Sequence, residues 1–145
     1  MADLSAFATK DNADEGVVFP VKIKGTKLPI AIKIFGSDSD VVRLYERKVM
    51  KSLNLFGNKN KDEGDALEDY LSSDEGVLVR IGGLWSYDWD KQEVVENDPV
   101  KLFGKTLGCD KKSYEFLIDK IPAVKDFVTD KSNDRANFLS EGKKN

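Results

Sequence analysis

Val17-Val18-Phe19-Pro20-Val21-Lys22-Ile23-Lys24, then Gly25-Thr26-Lys27, then Leu28-Pro29-Ile30-Ala31-Ile32-Lys33-Ile34-Phe35 carries the strongest regular pattern in the chain. Val17, Phe19, Val21 and Ile23 alternate with Val18, Pro20, Lys22 and Lys24, the period of a strand with one buried face. Leu28, Ile30, Ile32 and Ile34 repeat the pattern after a Gly-containing turn, so the two runs read as a β-hairpin. Pro20 has no N–H to give to a ladder, which places the first strand at a sheet edge. Two strands alone are marginal and need a helix or another sheet against the apolar face. The hairpin is therefore either packed on the chain's own helices or a surface for assembly.

Outward from the hairpin, the pattern turns helical. Ser37 and Asp40 have capping-box spacing ahead of a helix to Leu53 or Asn54, with Val42, Tyr45, Val49, Leu53 and Phe56 on one stripe. The Asp38-Ser39-Asp40 run lacks the sharp-turn Gly and distal Glu of a calcium loop. Gly57 to Gly64 has no periodicity and reads as a mobile loop. A helix is expected from Asp65 through Leu67, Leu71, Leu78 and Ile81 to Trp85. Val77 to Ile81 also has the β-propensity of a short strand. Asp98-Pro99 reads as a helix start, with Val100, Phe103 and Leu107 on its face and Gly108 at its end. Asp110 caps a further helix carrying Tyr114, Leu117, Ile118 and Ile121. Pro122 to Leu139 reads as the last helix, with Val124, Phe127, Val128, Phe138 and Leu139 on one stripe. The class is α+β: an N-terminal β-hairpin packed on a bundle of four or five helices. Its divisions are a flexible arm over 1–14, a single domain over 15–140 and a basic tail over 141–145. Phe7 gives the arm a second reading, as a partner-binding segment.

The 145 residues suffice for one domain with a buried core. Basic and acidic residues, 23 and 26, are interspersed to a net charge of −3, leaving no basic stripe for a phosphate backbone. Nucleic acid is not an expected partner. Histidine is absent, which removes the commonest general base and zinc ligand. Cys109 stands alone, with no partner for a disulfide and no His to activate it, and reads as a small packed hydrophobe at a helix boundary. No Gly-rich loop has the strand–turn–helix context and Lys of a phosphate site. The carboxylate pairs read as a solvated face. No catalytic set, metal or cofactor is expected. Met1-Ala2-Asp3-Leu4 has neither a basic n-region nor an apolar h-region, and no run approaches a membrane span. The expectation is a cytosolic, non-enzymatic protein.

Trp85, Tyr87 and Trp89 put three rings in five residues, which one helix face cannot all turn inward. They are either a loop folded over its own core or an exposed contact patch. The closing run Asp134-Arg135-Ala136-Asn137-Phe138-Leu139, with Gly83-Leu84-Trp85, Asp98-Pro99-Val100 and Glu15-Gly16-Val17, resembles the phage tail assembly chaperones of long-tailed phages. The resemblance implies a protein of the host cytoplasm that coats the helical tape-measure protein and helps recruit tail-tube subunits, with self-association a further possibility. Candidate contact residues are then Trp85, Tyr87, Trp89, Phe127, Phe138 and Leu139. It also implies a frameshifted longer form, for which the Lys143-Lys144-Asn145 codons are the place to look; otherwise they encode a solvated basic tail. Competing readings are a structural virion protein of the tail tube or head–tail junction, and an acidic inhibitor of a host defence protein.

Overall fold

The computed structural model describes residues 2–56 and 73–139. The expected loop over 57–64, the helix start at Asp65 with Leu67 and Leu71, and the basic tail lie outside them. The fold is mixed α and β. Strands β1 (Val17–Ile23), β2 (Thr26–Ile34), β3 (Ile81–Asp88) and β4 (Glu93–Val95) form an antiparallel sheet in the order β1-β2-β3-β4. A second hairpin pairs β5 (Val100–Leu102) with β6 (Lys105–Leu107). Five α-helices lie among the described residues: α1 (Lys10–Glu15), α2 (Asp40–Phe56), α3 (Asp74–Leu78), α4 (Lys111–Lys120) and α5 (Ala123–Asn133).

The N-terminal hairpin forms as its alternation predicts. Phe19 pairs with Ile32 and Val17 with Ile34, and β1 lies at the sheet edge, where Pro20 costs no ladder bond. The register shifts between Pro20 and Lys22, and Val21 on that bulge is fully buried. Ile32 pairs onward with Leu84 and Ile30 with Ser86, so one sheet face carries these residues. Against that face pack Leu117 and Ile118 of α4 and Val124 and Val128 of α5, in a core that also takes Val77, Val100, Leu107 and Tyr114. The helical stripes read for α4 and α5 are the buried ones. Burying each such Ile or Leu contributes about 1.5–3 kcal/mol.

Two segments expected as helix are strands. Ile81 to Trp85 belongs to β3; the apparent helical phase from Leu78 breaks after the short helix α3, which ends at Leu78. Gly82 and Gly83 lie within β3. A Cβ on Gly82 would strike the Phe35 ring, and one on Gly83 the indole of Trp85, so these glycines let two aromatic rings lie against the sheet. Residues 100–107 turn back at Phe103-Gly104 instead of winding on from Pro99. The sheet of four strands, with a second hairpin, thus replaces part of the expected helix bundle.

The last helix stops at Asn133, five residues before Phe138. Asp134 adopts an extended conformation, its carboxylate accepts from the Ala136 N–H at 3.0 Å, and Arg135–Phe138 continues as a 3₁₀ turn. The polar interval before Phe138 is therefore a helix end. Asp110 caps α4 as read, accepting from the Ser113 N–H at 2.8 Å. At α2 the cap is Ser39, whose hydroxyl accepts weakly from Val42 N–H at 3.4 Å. Ser37, the expected cap, instead donates to the Ser132 carbonyl at 2.7 Å.

Ser132 also joins a buried polar node that composition did not disclose. Arg80, 2% exposed, donates from Nε to the Ser132 hydroxyl at 3.1 Å and from a terminal nitrogen to the Gly76 carbonyl at 2.6 Å. The same hydroxyl donates to the Phe35 carbonyl at 2.7 Å, while Phe35 N–H donates to the Arg80 carbonyl at 2.8 Å. A buried guanidinium is tolerated only when its donors are matched in this way. Burial lowers its pKa from the usual arginine value.

Residues 10–14, expected within the flexible arm, form α1 together with Glu15, and Ala13 is 1% exposed against Gly36. Asn12 and Ala13 tie this helix to the end of the chain and to the turn after β2. Before it, Leu4 and Phe7 remain exposed on a 3₁₀ turn, Ser5–Phe7.

Candidate functional site

The alternation that points Leu84 and Ser86 at the core points Trp85 and Tyr87 at the opposite sheet face. Trp85 pairs with Ala31, which pairs with Pro20; Gly83 pairs with Lys33, which pairs with Val18; Tyr87 pairs with Val94 of β4. Across the sheet these residues, Lys33 apart, make an apolar strip. Val18 is 41% exposed, Pro20, Trp85, Tyr87 and Val94 are half-buried, and Ala31 is completely buried.

Trp89 extends the row past the strand end. Its ring meets that of Tyr87 edge to face, with centroids 5.1 Å apart. Its indole N–H donates to the Leu28 carbonyl at 2.7 Å, and the Lys27 ammonium lies 5.2 Å from its centroid. Asp88 holds the turn that carries it, accepting from the N–H groups of Asp90 at 3.0 Å and Lys91 at 3.3 Å. Trp85 is fixed differently, folded back over Gly83. The rings therefore form a rigid, partly exposed ladder. The sequence poses a loop folded over its own core or an exposed contact patch; Trp85 and Tyr87 stand instead on strand β3, half-buried on the face turned away from the helices.

The other three candidates lie elsewhere. Phe138 is 1% exposed and meets Phe19 edge to face, centroids 6.4 Å apart, on the helix-covered side of the sheet. It is a core anchor, unable to reach a partner without unfolding. Phe127 is half-buried on α5, and the Lys131 ammonium spans it and Phe19 at 5.6 and 5.5 Å from the two centroids. Leu139, half-buried, follows the 3₁₀ turn. The structure thus brings Trp85, Tyr87 and Trp89 together and separates them from Phe127, Phe138 and Leu139. Val18, Pro20, Ala31 and Val94 join the first group through strand register, which sequence reading of a helical Trp85 could not supply.

No protein-family model, no curated protein and no solved structure matches this chain.

Among the described residues, no group of three or more His, Cys, Asp or Glu is placed to hold a metal ion. None of their helices is long and apolar enough to cross a membrane. Cys109 is exposed instead of packed, although its Sγ donates to the Leu84 carbonyl at 3.3 Å and accepts from the Leu84 N–H at 3.4 Å. The neighbouring Tyr114 phenol is pushed up to about 12, first by burial and then by the thiol and Asp110 beside it. The Asp38 carboxyl is held down to about 2 chiefly by Arg135, which donates to it from two nitrogens at 2.7 and 2.9 Å. Thr9 and Arg43 complete its contacts at 3.2 and 3.4 Å. This cluster joins α1, the start of α2 and the 3₁₀ turn of Arg135–Phe138, and its work is structural.

Proposed function

We propose that this chain is a non-catalytic tail assembly chaperone of a long-tailed phage. It works in the host cytoplasm, binding the helical tape-measure protein and assisting addition of tail-tube subunits. The observation that carries the reading is the aromatic row Trp85, Tyr87 and Trp89 on the sheet face turned away from α4 and α5. Four residues of strand span roughly 13 Å, and a helix advances 5.4 Å per turn. The row therefore matches a little over two turns of a helix laid along it, the spacing of i, i+3 or i+4, and i+7 anchors. Rings already held by Gly83, the Leu28 carbonyl and one another lose little freedom on binding, which favours affinity. The interspersed charges over the rest of the chain suit a protein that keeps an apolar helix in solution.

The resemblance of the chain's closing residues to that family supports the same reading, although Phe138 supports it as a folding element. A longer frameshifted product sharing residues up to Lys143 belongs to the proposal. A codon choice that breaks the A-rich run at Lys143-Lys144-Asn145 removes that part of it. The function is tested by co-expression with a phage tape-measure protein. Solubilisation and copurification in many copies per helix support the reading; an insoluble long protein with this chain left alone contradicts it.

A further inference from the structure

The two sides of the aromatic row differ in charge. Residues 17–35 contain Lys22, Lys24, Lys27 and Lys33 and no acid. Val21, Leu28 and Ile32 turn toward the helices, so alternation puts Lys22, Lys27 and Lys33 on the face of Trp85 and Tyr87. Lys22 and Lys27 stand directly opposite each other in register, where like charges cost a hairpin stability. Among the described residues, none of the four lysines is paired with a carboxylate. On the other side of the row Asp90 follows Trp89 and Glu96 follows Val95, both exposed, and from Asp88 to Asp98 the one base is Lys91.

We infer that the helix received by this row carries acidic side chains on the shoulder over β1 and β2 and basic ones on the shoulder over β4. The inference rests on the proposed tape-measure contact at the same face and adds the charge pattern of the partner. Strands are about 4.8 Å apart and a helix with its side chains is about 10–12 Å across, so a helix centred on β3 has one shoulder over β2. Lys27 marks one end of that shoulder, its ammonium 5.2 Å from the Trp89 centroid. Lys33 marks the other, in register with Gly83. Six residues of strand separate the two lysines, roughly 20 Å, or between three and four helical turns. Lys22 reaches in from β1. Acids spaced along those turns meet lysines that have no partner within the chain, whereas a basic shoulder there meets like charge. A polyphosphate chain suits the lysines but meets Asp90 and Glu96 on the other flank.

The full chain is titrated at low salt against two labelled helical peptides of about 18 residues. Both carry the same apolar stripe; one has Glu on one shoulder and Lys on the other, the second has Lys on both. The wild type is expected to bind the Glu/Lys peptide about fivefold tighter than the Lys/Lys peptide. Lys22→Glu puts opposite charges across the hairpin, so it should keep or raise the thermal midpoint and yet narrow that preference to about twofold or less. Equal wild-type binding of the two peptides, with both lost in Trp85→Lys/Tyr87→Lys, overturns the charge pattern and leaves the aromatic face as a helix site. An undiminished preference in Lys22→Glu also overturns it. Failure of both peptides to bind, or binding that the aromatic double variant does not change, overturns the inference together with the helix contact beneath it. A dT oligonucleotide of about 15 nucleotides that displaces the Glu/Lys peptide from the wild type, and not from Lys22→Glu, assigns the lysines to a phosphate backbone and overturns the inference.

Discussion

The side-chain amide of Asn12 donates to the carbonyl of Phe138 at 2.8 Å, joining residues 126 positions apart. Around this bond Ala13 and Phe138 close on Gly36, whose missing side chain leaves them room. The two ends of the described chain are thereby locked over the turn that leads from β2 into α2. Phe138→Ala should cost roughly 3–5 kcal/mol, because it empties a fully packed site. Asn12→Ala should cost about 1 kcal/mol, the loss of one partly buried hydrogen bond. Chemical denaturation of the two variants beside the wild type measures both. Equal small losses would mean that the ends are not locked together.

The clasp beside that bond is electrostatic and depends on pH. Asp38 titrates near 2 in the folded protein, chiefly through Arg135, and a free aspartate titrates near 3.9. A depressed carboxyl stabilises the fold above its unfolded value and loses that contribution as pH falls toward its folded one. The stability contributed by Asp38 should therefore be complete at pH 5 and fade between about pH 4 and pH 2. Arg135 is largely exposed, so solvent screening keeps the contribution to about 1 kcal/mol. Asp38→Asn should lower the thermal midpoint at pH 6 and show a shallower decline than the wild type below pH 4. Parallel wild-type and variant curves from pH 6 to pH 2 would contradict this.

Gly83 lies beneath the Trp85 indole with no space for a methyl group. Gly83→Ala should displace the ring, destabilise the fold by roughly 1–3 kcal/mol, and red-shift tryptophan emission as the indole gains water. Ala31, buried beside Trp85 in register, should then become accessible. An unchanged emission spectrum with unchanged stability would show that the indole does not rest on Gly83.

Much of this fold can be read from residues whose neighbours in sequence decide their state. The alternation from Val17 to Ile34, Pro20 on an edge, Asp110 as a cap and the stripes of Tyr114–Ile121 and Val124–Val128 are local signals, and each is realised. The misread segments are those where two periods fit the same residues. Leu78, Ile81 and Trp85 fall three and four apart by coincidence, and only pairing of Leu84 with Ile32 reveals strand β3. Phe103-Gly104 between Val100-Lys101-Leu102 and Lys105-Thr106-Leu107 carries a two-residue hairpin signal, masked by Asp98-Pro99 ahead of it. The aromatic row was visible as residue types, whereas its placement on one sheet face depends on long-range register. Phe138 was visible as an apolar residue in a familiar ending; its burial depends on Gly36 and Ala13, about a hundred residues or more away.

Whether the sheet face of Trp85 and Tyr87 receives an apolar helix can be decided by one copurification. The wild type, the double variant Trp85→Lys/Tyr87→Lys and the N-terminal control Phe7→Lys are each co-expressed with the tape-measure protein proposed as partner. The quantity measured is the soluble complex recovered per folded chain, with folding checked by circular dichroism. The double variant should stay folded and lose at least about tenfold in recovered complex, while Phe7→Lys should behave as the wild type. Undiminished recovery with the folded double variant would contradict it.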